Sequence, residues 1–227
     1  MKLKSQVKIA CLLITFLVGQ TVWADTPAFT LGAVLNNQPP SFTGTKGWSF
    51  YNYSPEGAIS ITQLGVFDSG GDGLANAHQI GLWSVSGTLL ASATIPAGTA
   101  APLVDGYRYV TISPVSIPRA TSEVDSSTAY IIAAQYSADD SDDLFSPFAA
   151  GMSPGVDGWS GTYPSIGWYG FGSNLPFPSL RTTPTGLEGS GRTYREPNFQ
   201  FVVPEPSVPF LLAPGLVYLF LRHRKLR

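Results

Sequence analysis

The sequence predicts an all-β body, a β-sandwich of jelly-roll or Ig-like type. Three observations carry that expectation. The 227 residues include 24 glycines and 19 prolines, and only 12% are charged. That composition favours turns over the Glu/Lys/Leu/Ala mixture of helices. Short runs alternate with period two between Gly, Pro and Asp clusters, and no segment of useful length repeats its apolar residues at helical spacing. A closed barrel is the alternative, and the sequence does not choose the strand order.

The strands follow in order. Gly47 to Tyr53 carries Trp48, Phe50 and Asn52 on one face. Ala58 to Asp68 alternates through Ile59 and Ile61, then changes phase to Leu64 and Val66. One extra residue flips which side chains face inward, so a bulge is expected near Thr62-Gln63. Gln79 to Val85 and Thr88 to Ile95 flank Ser86-Gly87, a hairpin signal. In the second arm Leu89, Ala91, Ala93 and Ile95 share one face. Tyr107 to Ile112 is the next strand. Ala129 to Tyr136 is apolar on both faces, as a central strand requires. Asn198 to Val203 closes the set with Phe199, Phe201 and Val203 inward. Residues 151–191 differ, with ten glycines, five prolines and six large aromatic rings. They are expected as a loop region within a domain spanning 25–203.

Residues 1–24 read as a secretory signal. Lys2, Lys4 and Lys8 form its charged start, Ile9 to Val18 its apolar core, and Val22-Trp23-Ala24 its cleavage site. The Sec translocon and signal peptidase are the partners this implies. Cys11 is the only cysteine and would leave with the signal. The exported body is then expected to stand without disulfides. Charge is segregated. Between Asp25 and Val203 there are six bases and 14 acids, a formal charge of −8. A body so acidic excludes nucleic acid as partner, because phosphate binding needs a basic face.

Catalytic patterns are missing from the sequence. There is no G-x-S-x-G elbow, no cysteine nucleophile and no H-E-x-x-H. His78 is the body's single histidine and is expected as a solvated turn residue, not a triad base. No spacing of carboxylates favours a glycosidase pair. A non-enzymatic protein is therefore expected, with no cofactor other than a candidate Ca²⁺. That candidate is Asp68 with Asp72. They fit positions one and five of a calcium loop, but position three is Gly70 and position twelve Gln79. A plain Asp/Gly turn is the competing expectation. The run Asp139-Asp140-Ser141-Asp142-Asp143 reads as a solvated acidic loop, with hard-cation binding the alternative. Trp159, Tyr163, Trp168 and Tyr169 are candidate sugar-stacking rings. Their competing role, which the burial habit of aromatics favours, is a lid over the core.

The C-terminal stretch 204–227 is an address. Pro204-Glu205-Pro206 fixes two φ angles and disfavours helix before each proline, leaving an extended segment open to a processing enzyme. Val208 to Leu221 would form a transmembrane helix of roughly 21 Å. That is short for a hydrocarbon core of about 30 Å. Arg222, Arg224, Lys225 and Arg227 would stay cytoplasmic. The order Val203-Pro204-Glu205-Pro206-Ser207, apolar run, basic end closely resembles the PEP-CTERM sorting signal of Gram-negative bacteria that make extracellular polysaccharide. The resemblance implies recognition and processing by exosortase, a membrane transpeptidase. It implies transient anchoring in the inner membrane with the body in the periplasm, then release toward the cell surface or a biofilm exopolysaccharide matrix. Residues 57–136 also resemble a domain of unknown function of such exported proteins. The likeness rests on Leu82-Trp83-Ser84-Val85-Ser86-Gly87-Thr88-Leu89-Leu90-Ala91 and Thr128-Ala129-Tyr130. That likeness implies a β-sandwich and carries no catalytic residue.

Overall fold

The computed structural model describes residues 25–31, 43–121, 129–138, 140, 149–152, 156–157, 167–182 and 196–203. Their secondary structure is all β, with two main antiparallel sheets and no helix among the described residues. In chain order the strands are β1 (Thr26–Pro27), β2 (Phe29–Leu31), β3 (Gly44–Asn52), β4 (Ile59–Phe67), β5 (His78–Ser84), β6 (Leu89–Ile95) and β7 (Leu103–Val104). There follow β8 (Tyr107–Ile117), β9 (Tyr130–Tyr136), β10 (Ala149–Met152), β11 (Val156–Asp157), β12 (Gly167–Phe171), β13 (Leu180–Thr182) and β14 (Asn198–Val202). The signal and the sorting tail, 1–24 and 204–227, lie outside the described residues, and so do Trp159 and Tyr163.

The smaller sheet runs β1-β14-β4-β8-β7 and the larger β13-β12-β3-β9-β5-β6, with β11 also on β3. A two-stranded β10-β2 ribbon stands beside them. The two sheets meet face to face over one apolar core, the layering expected of a β-sandwich. Trp48 and Phe50 of β3 reach Phe199 of β14 in the facing sheet, with ring centroids 6.0 and 4.5 Å apart. The Trp48 indole N–H donates to the Pro197 carbonyl at 2.6 Å, so the largest core side chain is also satisfied as a donor.

Side-chain alternation explains most of this packing. Ile59, Ile61, Leu64 and Val66 are all fully buried, and the β4–β8 register slips between Ile61 and Gln63, where the phase change foretold a bulge. Pro114 falls opposite the same slip, which lets β8 run on to Ile117 beyond its expected end at Ile112. A residue without an N–H loses nothing where the ladder is already broken. β9 is central, between β3 and β5, as its two apolar faces require. The expected hairpin joins β5 to β6, with Gly87 at φ 95° in its turn. Part of 151–191 departs from the expected loop. Gly167–Phe171 is a strand on β3, and Leu180–Thr182 pairs with it in turn. Glycine content hid β12, because Gly170 lies so close to the Phe177 carbonyl and Thr45 that no side chain fits there.

Candidate functional site

The sequence-predicted positions do not converge. Trp168 and Tyr169 lie on β12, in register with Gly47 and Lys46 of β3. Asp68 and Asp72 occupy the turn after β4, but only Asp68 is buried, at 1% exposure, while Asp72 faces solvent. The carboxylate of Asp68 is already engaged. Its Oδ2 accepts from Arg108 Nε at 2.7 Å, and both of its oxygens lie within hydrogen-bond reach of the Gly73 N–H. Arg108 also donates to the Ala101 and Gly71 carbonyls at 3.0 and 3.1 Å. A cation at Asp68 would have to displace a buried guanidinium that binds three segments together. Asp68 thus anchors the turn, the role a buried charge normally needs a partner to fill. No group of three metal-ligating side chains forms among the described residues.

His78 corrects an expectation. It is not a solvated turn residue but the first residue of β5, with 1% exposure. Its Nδ1 lies 3.0 Å from the Gln135 carbonyl. A carbonyl only accepts, so Nδ1 carries the proton. Nε2 lies 3.8 Å from Asp140 Oδ2 and makes no hydrogen bond. The ring also packs on Tyr136 at 5.0 Å between centroids.

Around this pair the structure gathers a buried ionisable cluster that sequence reasoning missed. Lys46 of β3, His78 of β5, Tyr136 of β9, Asp140 beyond β9 and Glu196 before β14 are each 4% exposed or less. The ends of four strands, β3, β5 and β9 of the larger sheet and β14 of the smaller, bring them to one end of the core. Lys46 Nζ lies 5.4 Å from the Tyr136 ring centroid. Burial lowers the Lys46 amine from 10.5 to about 7, against the opposing pull of Glu196 and Asp140. Burial, and then the negative charge of Glu196 and Asp140, holds the Tyr136 hydroxyl proton on well above the usual tyrosine range. Glu196 Oε1 accepts the Phe67 N–H at 3.2 Å. Chemically the cluster can hold and exchange protons, but it is sealed from solvent and offers no surface to a substrate. The only advance signal was the isolation of Lys46 in an otherwise uncharged strand.

One open groove lies elsewhere, on the outer side of the larger sheet beside β5 and β6. It measures about 400 Å³ and is lined chiefly by Gln79, Ser92, Thr94 and Asn174, with Leu89 and Leu175. The loop after β12 forms one wall. The Gln135 amide clamps that loop, donating to the Gly172 carbonyl at 2.9 Å and accepting the Leu175 N–H at 3.2 Å. Thr45 Oγ1 donates to the Pro176 carbonyl at 2.6 Å, and the Phe177 ring lies against Trp83.

No family model, curated protein or solved structure matches this chain.

Proposed function

We propose that this chain is an exported, non-enzymatic protein of the cell surface or exopolysaccharide matrix, delivered through its C-terminal sorting signal. The observation that carries the reading is the tail itself. Val203-Pro204-Glu205-Pro206-Ser207 leads into an apolar run and a basic end. The last strand of the smaller sheet, β14, stops at Val202, one residue before that motif. This supports a finished domain followed directly by an address. The partners are then the Sec translocon, signal peptidase and exosortase, with the inner membrane as a transient hold. The acidic body supports the exclusion of nucleic acid. Between the two sandwich types, the jelly roll is the closer. The runs β1-β14-β4-β8 and β3-β9-β5-β6 follow the B-I-D-G and C-H-E-F strand orders of that fold.

The burial of Lys46, His78, Asp140 and Glu196 supports a body without catalysis. A glycosidase needs two carboxyls about 5–9.5 Å apart in a cleft that admits substrate. The uncharged groove instead favours the second reading, a carbohydrate-binding module. Fractionation tests the main proposal. Wild type should leave the inner membrane for the cell surface, while a Glu205→Ala, Pro206→Ala variant should stay in the membrane. Equal release of the two would sink the processing claim.

A further inference from the structure

The groove beside β5 and β6 combines three features that no folding requirement explains. First, its lining hydrogen-bonds without charge. Gln79, Ser92 and Thr94 are exposed and paired across the β5–β6 ladder, Gln79 directly opposite Thr94. Asn174 faces them from the loop wall. Second, that wall is strained. Asn174 and Leu175 are consecutive non-glycine residues at φ 66° and 52°. A left-handed leucine is an outlier, and such strain survives only where surrounding contacts enforce it. Third, the enforcing contacts are specific. The Gln135 amide grips the loop on both sides of Asn174, and Thr45 grips it again at Pro176. The bracing holds one amide side chain over two hydroxyls and a second amide.

We propose that this groove binds a neutral oligosaccharide. Amide and hydroxyl side chains both donate and accept, as sugar hydroxyls do, so the sets are complementary. Leu89 and Leu175 supply apolar surface for the carbon faces of a ring. Among the described residues no lining side chain is ionisable, and the body is formally −8, so an anionic polymer meets repulsion. A volume near 400 Å³ lies within the range of small-ligand sites. The inference rests on the reading of the body as a matrix protein and names the ligand class of one surface.

Affinity electrophoresis of the full exported chain through gels containing dextran, mannan, galactomannan or alginate tests it. At least one neutral polysaccharide should retard the protein, and alginate should not. Gln79→Ala and Asn174→Asp should each weaken that binding by about tenfold, the loss of a hydrogen-bonded contact. Both variants should keep the wild-type melting temperature, since Gln79 is exposed and Asp tolerates the left-handed backbone. Retardation by alginate alone, by none of the four polymers, or with unchanged affinity in both folded variants overturns the proposal. Fractionation reads sorting separately. A chain released normally that binds no neutral glycan refutes the groove and leaves the delivery reading standing.

Discussion

Replacing Asp68 by Asn isolates the most consequential charge pair in the body. The substitution preserves volume and removes one negative charge. Arg108 is 5% exposed, and Asp68 Oδ2 is its only carboxylate contact among the described residues, at 2.7 Å. Its remaining contacts are carbonyls of Thr99, Ala101 and Gly71, which cannot neutralise it. Removing one partner of a buried pair costs about 3–5 kcal/mol. In a chain of this size 1 kcal/mol moves the melting temperature by about 2–4 °C. The midpoint should therefore fall by roughly 6–20 °C, read by calorimetry or by near-ultraviolet circular dichroism of the buried aromatics. Combining Asp68→Leu with Arg108→Met should recover part of the loss, because an apolar pair carries no unpaired charge. Calcium chloride in the same assay should leave the wild-type midpoint unchanged, since the guanidinium already holds the oxygen a cation would take. A loss below about 1 kcal/mol, the value of an exposed pair, would refute the buried anchor. So would a calcium-dependent rise that Asp68→Asn abolishes.

Two further outcomes follow from the core. Lys46 titrates at about 7 in the folded chain and at 10.5 unfolded, so between those values the unfolded chain holds a proton the folded chain has released. Stability should rise with pH across that window, by at most about 5 kcal/mol from this group. It should fall again above about pH 10, where Tyr109, Tyr130 and Tyr136 keep protons that the unfolded chain loses. Lys46→Met should remove the rising limb, and a wild-type denaturation profile that is flat from pH 7 to about 9.5 would contradict the assignment. Gly47→Ala should be severe, because its Cβ would meet the Ile132 carbonyl oxygen and the Ala133 backbone of β9. A loss of about 3 kcal/mol or more is expected, since the obstacle is a neighbouring strand and cannot turn aside. A soluble variant with the wild-type urea midpoint would mean that β3 and β9 are not so closely apposed.

Local pattern was enough wherever a strand faces one core. Ile59 and Ile61 against Leu64 and Val66 announce a bulge because side chains alternate with period two, and a slip in the ladder is the only way to keep all four inside. The two apolar faces of Tyr130–Tyr136 announce a central strand for the same reason. Composition failed where glycine has a tertiary cause. Gly167 and Gly170 of β12 looked like loop residues, yet a Cβ at Gly170 would come within 3.0 Å of the Phe177 carbonyl and Thr45. His78 failed likewise. Its neighbours Asn76 and Ala77 are exposed, as a turn should be, but the chain turns inward at His78 itself.

Composition and period thus establish an all-β body and its main strands, and the terminal motifs carry the proposal of an address. They are properties of neighbouring residues and need no knowledge of what packs against them. Three things belong to the tertiary structure alone: the pairing of β14 with β4, the sealing of Lys46, His78, Tyr136, Asp140 and Glu196 at one end of the core, and the groove braced by Gln135. Each joins segments remote in sequence, and the burial of a charge or the placing of a hydrogen bond depends on which segments meet. No local pattern records that.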